Sequence, residues 1–144
     1  MLLPSFDKFK EIFFRECPMF RKNFDDLESK FFDSWKEEFN LHLEHLFHEN
    51  EESYVDAAKG YSRFAIDAMR LQRLFNKKHK YEDVSYEEAC KNVYHNEDYM
   101  MKLYLPGIFV SHFLWYHHYK QFLFYNNNFL PYFDKTSEKE LYDV

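Results

Sequence analysis

Two glycines and four prolines in 144 residues leave this chain almost no means of making tight turns. A β-hairpin turn needs residues that accept positive φ, glycine above all, and an all-β fold needs such a turn roughly every ten residues. Helices have no such need. The expected fold class is therefore all-α, a bundle of four to six helices, and a chain of this length fits one domain with a real core. With 18 Phe and 12 Tyr, aromatic residues make up 22% of the chain, far above average composition. Phenylalanine is then a principal core residue. A codon bias could produce much of this excess, so only the position of individual rings can carry a functional argument.

The formal net charge is −6 and the isoelectric point about 5.7, the wrong sign for a protein that must neutralise a phosphate backbone. No nucleic-acid partner is expected. The one basic cluster, Arg70, Arg73, Lys77, Lys78 and Lys80, falls near a helix C-terminus, where cations complement the macrodipole. Cys17 and Cys90 are too few and too far apart for a disulfide framework or a zinc motif, and buried thiols in a reducing, cytoplasmic setting are expected. The N-terminus lacks a basic segment followed by a long apolar one, as a signal peptide would have. The most apolar run, Leu103 to Tyr116, is too short to span a bilayer, so a membrane partner is not expected.

Helical periodicity organises the chain. Ser5 is placed to cap a first helix through Phe6, Phe9, Ile12 and Phe13, ended by Pro18. Leu27, Phe31, Trp35, Phe39, Leu43 and Leu46 form one stripe of a second helix, from about Phe24 to Phe47. A third spans roughly Ser53 to Asn76, with Val55, Ala58, Phe64, Ala65, Ala68, Leu71 and Phe75 on its apolar face. Ser85 and Glu88 make a capping box, and Asn96 caps the next helix. Pro106 removes a backbone donor and Gly107 adds backbone freedom, so a kink or break is expected there. Ile108 to Tyr125 follows as an aromatic-rich helix, apolar on all sides and therefore buried, which Asn126, Asn127 and Asn128 end. Lys139 to Val144 suggests a short terminal strand or tail.

Candidate chemistry concentrates in that aromatic helix. Buried polar groups need partners, and Ser111, His112, His117 and His118 lie within it. Trp115 with Tyr104 and His118 could form an aromatic wall carrying donors and acceptors, the chemistry of a small-molecule pocket. His42, His45 and His48 recur every third residue. Their positions drift by about 120° around the helix, which suits a pair better than one tetrahedral site, and no metal is assigned. The chain has no Gly-rich phosphate loop, no G-x-S-x-G and no H-E-x-x-H.

The stretch Tyr94 to Pro131, YHNEDYMMKLYLPGIFVSHFLWYHHYKQFLFYNNNFLP, followed by KELYDV, resembles the helical lead-in of class I S-adenosylmethionine-dependent methyltransferases. The resemblance covers about the last third of the chain. It implies that residues 1–137 are a substrate-side helical cap and that 138–144 begin a Rossmann-like domain. That following domain would hold most of the S-adenosylmethionine, while the cap covers a small-molecule substrate and the methyl donor, with Tyr104, Ser111, Trp115 and His118 as its pocket wall and His118, then His112 and His117, as candidate bases. The glycine loop of the family does not occur here, so the isolated chain is not expected to be active. Two rival expectations stand beside this one. A self-sufficient all-α binding module could have its aromatic helix covered by a second copy. A histidine-rich metal or haem protein is the third.

Overall fold

The computed structural model describes residues 3–81 and 84–133. Among these the protein is an all-α bundle of six helices without a strand. α1 is Pro4–Glu16, α2 Arg21–Phe47 and α3 Glu51–Lys78. A short α4 (86–94) joins Tyr86–Ala89 to a π turn at Cys90–Tyr94. α5 (97–114) joins Glu97–Tyr99, a π turn at Met100–Tyr104 and Leu105–Leu114 into one rod. α6 (116–133) joins Tyr116–Phe124, a π turn at Tyr125–Phe129 and Leu130–Phe133. The expected terminal strand and the boundary at 137 fall outside the described residues.

Caps predicted from local sequence are mostly present. The Ser85 Oγ accepts from the Glu88 N–H at 3.1 Å, and the Asn96 side chain accepts from the Tyr99 N–H at 3.1 Å. Asn50 starts α3 by accepting from the Ser53 N–H at 3.1 Å. Ser5 differs from expectation. It lies inside the first turn of α1, buried, while Leu3 holds the cap position without a side-chain bond. Pro4 at the start of the helix has no N–H to satisfy, and the Phe6 N–H donates to the Asn40 Oδ1 of α2 at 3.0 Å.

The core is a mesh of rings. Phe6, Phe9 and Phe13 from α1 meet Phe24, Trp35 and Phe39 from α2, and all six are at most 1% exposed. Phe39 stacks flat on Phe113 of α5 at 4.4 Å, and Phe6 meets Trp35 edge-on at 5.5 Å. Each such pair contributes about 0.5–1.5 kcal/mol beyond its area burial. α2 bends at Phe32 (φ 55°, ψ −146°), a conformation that side chains resist. Beside the bend, Phe31 packs on Tyr116 at 5.6 Å and Tyr119 at 4.7 Å, which holds α6 to α2.

Both glycines of the chain meet at one helix crossing. A Cβ on Gly60 of α3 would stand 2.0 Å from the Leu103 carbonyl oxygen, and one on Gly107 of α5 would stand 2.4 Å from the Gly60 carbonyl carbon. Gly107 is therefore a contact point between backbones, and of the kink or break expected at Pro106 and Gly107 the break is not found, the chain being helical through both. The π turn at Met100–Tyr104 widens the helix just before Pro106, relieving the clash a proline ring makes with the carbonyl one turn back.

The interruption falls at Trp115 instead, which is extended (φ −115°, ψ 120°). Ile108 to Tyr125 is thus not one buried helix. Val110, Ser111, Phe113 and Leu114 are buried before the break, and of Tyr116–Phe124 after it only Tyr119 is. Side chains of α2 account for the break. The Trp35 Nε1–H donates to the Phe113 carbonyl at 3.1 Å, and the Asn23 amide donates to the Leu114 carbonyl at 2.7 Å. Two carbonyls that a helix end leaves unpaired are satisfied from outside. Nor do Asn126 to Asn128 end α6, which continues through a π turn to Phe133.

Candidate functional site

The α5–α6 break gathers most of the polar residues expected to form a site. Trp115 lies between the two helices, its ring 5.2 Å from Phe64 of α3, 4.8 Å from His118 and 5.7 Å from His117. His118 is 4.4 Å from His117 and 5.7 Å from His112, ring centre to ring centre. Ser111 is fully buried. Its hydroxyl donates to the Ile108 carbonyl at 2.6 Å and lies 3.3 Å from the His118 Nδ1. Trp115 and His118 meet across a hinge, rather than along one helix flank as their spacing suggests. Tyr104 stands apart: its ring partner is Tyr99, at 6.0 Å.

Burial lowers the pKa of His118 below the usual imidazole value, with His117 and then His112 adding to the effect. His118 is therefore neutral at pH 7. His112 and His117 are exposed, and the His112 Nδ1 lies 3.0 Å from the Ile108 carbonyl oxygen. Tyr61, beneath Trp115, has its phenol pushed far up by burial, partly offset by hydrogen bonding with Trp115 and Asn23. The Cys17 thiol, pushed up to about 11 mainly by burial, donates to the Ala58 carbonyl at 3.1 Å. It is a packed, unreactive thiol at neutral pH.

The three histidines of α2 have separate roles. His42 packs among Phe109, Phe113 and Phe122, with its Nδ1 2.8 Å from the Glu38 carbonyl oxygen. The His45 Nδ1 lies 2.8 Å from the Leu41 carbonyl oxygen, and His48 forms the left-handed end of α2 (φ 49°). Among the described residues, no group of three or more His, Cys, Asp or Glu is placed to hold a metal ion.

A second place was not anticipated from the sequence. A groove of ≈ 420 Å³ opens between α2, α3 and α5, lined by Leu46, Phe47, Ser53, Asp56, Met101, Lys102, Leu105, Pro106 and Phe109. Leu46, Met101 and Leu105 are 54%, 61% and 45% exposed, so the apolar stripe of α2 does not bury Leu46 as its periodicity implies. Asp56 is half-buried and makes no hydrogen bond or ion pair among the described residues. The Lys102 ammonium is taken up by Asp98 at 2.9 Å. That bond raises its pKa, with smaller contributions from Asp56 and Glu52. One ammonium thus stands near three carboxylates, of which Asp56 alone lines the groove. The sequence signal for it is weak: Met101 and Leu105 form an apolar pair one turn apart, and Asp56 adjoins the apolar face of α3.

No helix among the described residues is long and apolar enough to cross a membrane. Compared with known protein families, with curated proteins and with solved structures, the chain matches none.

Proposed function

We propose that the protein is a helical binding module for a small amphiphilic cation, an apolar body with an amine or similar head, held in the groove between α2, α3 and α5. The observation that carries this reading is Asp56, a half-buried carboxylate that makes no hydrogen bond or ion pair among the described residues, in a groove lined mainly by apolar side chains. A carboxylate so placed gains a charge-assisted hydrogen bond when a cation arrives. Leu46, Phe47, Leu105 and Phe109 would take the apolar body, and the groove volume is that of a small-molecule site. Calorimetric titration with octylamine, octanol and octanoate tests it. Octylamine should bind at least about tenfold more tightly than octanol, octanoate should bind worst, and Asp56→Asn should erase the preference for the amine. Equal affinity for octanoate, or an unchanged preference in Asp56→Asn, would refute the assignment.

A second reading has one observation in its favour. In a methyltransferase cap spanning 1–137, His118 would serve as base for the methyl acceptor, and its half-buried, neutral imidazole beside Ser111 is in the state a base requires. The coding sequence that follows Val144 tests it directly. A strand ending in an acidic residue and a glycine-rich loop would support the cap; any other continuation would remove this reading.

A further inference from the structure

We infer that the C-terminal half of α3 is a docking surface for an anionic lipid bilayer. Ala65 is the last buried residue of α3, and from Ile66 to Lys78 the helix contributes nothing to the core. At about 1.5 Å per residue that half is roughly 20 Å long. It carries Arg70, Arg73, Lys77 and Lys78, with Lys80 just beyond, and residues 70–80 contain no acid. Since the whole chain is at −6, the remainder of the chain is acidic, and an anionic partner must be met by this half alone.

The positions of these side chains narrow the partner further. Ile66, Met69, Arg73 and Lys77 follow one another at helical spacing along a single stripe. Ile66 and Met69 are 43% and 48% exposed. Arg73, Lys77, Lys78 and Lys80 have no ion pair or hydrogen bond among the described residues, whereas Arg70 is paired with Asp67 at 3.7 Å. At the end of the helix Tyr81, 76% exposed, stacks on Phe75 at 4.8 Å. A phosphate-backbone partner would make use of the cations alone. Apolar side chains between lysines and arginines, with an aromatic pair at the end, suit the headgroup boundary, where rings enter the interface and cations remain at the surface. The helix-end role of this cluster explains its charge but neither the exposed apolar stripe nor the exposed tyrosine.

Co-sedimentation of the full chain with phosphatidylcholine vesicles, with and without roughly 30% phosphatidylserine, tests this. Binding should require phosphatidylserine and fall steeply with added salt. The triple change Arg73→Gln, Lys77→Gln, Lys78→Gln should weaken it about 100-fold, at about fivefold per cation. Tyr81→Ser should weaken it several-fold at every salt concentration, because an inserted ring is not screened. All four residues are exposed, and unchanged circular dichroism confirms that the variants fold. Absence of binding to phosphatidylserine vesicles at low salt, equal binding by the triple variant, or displacement by soluble polyglutamate as effective as by vesicles would overturn the inference. The last result would assign the surface to an acidic protein.

Discussion

Gly60→Ala should destabilise the protein, against the ordinary expectation for a glycine inside a helix. Alanine is favoured over glycine there by about 1 kcal/mol, because glycine loses more backbone freedom. At Gly60 the added carbon would stand 2.0 Å from the Leu103 oxygen, 2.9 Å from its carbonyl carbon and 3.2 Å from the Gly107 nitrogen. All three are backbone atoms, so no rotamer change can clear them. α3 and α5 must separate by more than about 1 Å, and a gap of that size forfeits a quarter to a half of each facing dispersion contact. Overpacking costs typically about 1–3 kcal/mol and sometimes more. A contact this short belongs at or beyond the upper end, giving a net loss of about 2 kcal/mol after the propensity gain. For a chain of this size that lowers the melting temperature by roughly 8 °C. Urea denaturation followed by circular dichroism should show a lower midpoint with an unchanged slope. Gly107→Ala meets the same crossing from the other side, 2.4 Å from the Gly60 carbonyl carbon. The double variant should lose less than the sum, since helices already apart accommodate the second methyl. A raised midpoint in either single variant would refute the close crossing.

Trp35→Phe should cost about 1–3 kcal/mol, because it leaves the buried Phe113 carbonyl without its donor. Asn23→Ala should cost about 1 kcal/mol for the Leu114 carbonyl. Losses under about 0.5 kcal/mol for both, measured by urea denaturation, would mean that these bonds do not hold the end of α5. His118 has a lowered folded pKa, so between that value and 6.5 the unfolded chain takes up a proton that the folded chain does not. Its stabilising contribution is full above 6.5 and is lost as pH falls through the lowered value. Denaturation midpoints at about pH 7.5 and about pH 5.5 should therefore differ less in His118→Gln than in the parent, and equal differences would exclude His118 as a source of acid sensitivity.

Sequence patterns alone determined the fold class, the extents of α1 to α3 and the caps at Ser85 and Asn96, because each depends on residues within a turn or two of one another. Scarce glycine excludes hairpins, periodic apolar residues define helix faces, and a capping side chain reaches only three residues along. Tertiary structure decided where that local logic yields. Trp115 is a strong helix position by its neighbours, yet α5 ends there because Asn23 and Trp35, 91 and 78 residues from the carbonyls they bond, reach them from α2. Gly107 beside Pro106 resembles a breaker, and only the approach of Gly60 from α3 shows it to be the contact that lets two backbones touch. The histidines near Trp115 could be singled out from sequence, but their convergence depended on a hinge that periodicity places elsewhere. The groove around Asp56 belongs to three helices at once. A cavity is a relation between surfaces distant in the chain, and no local spacing encodes it.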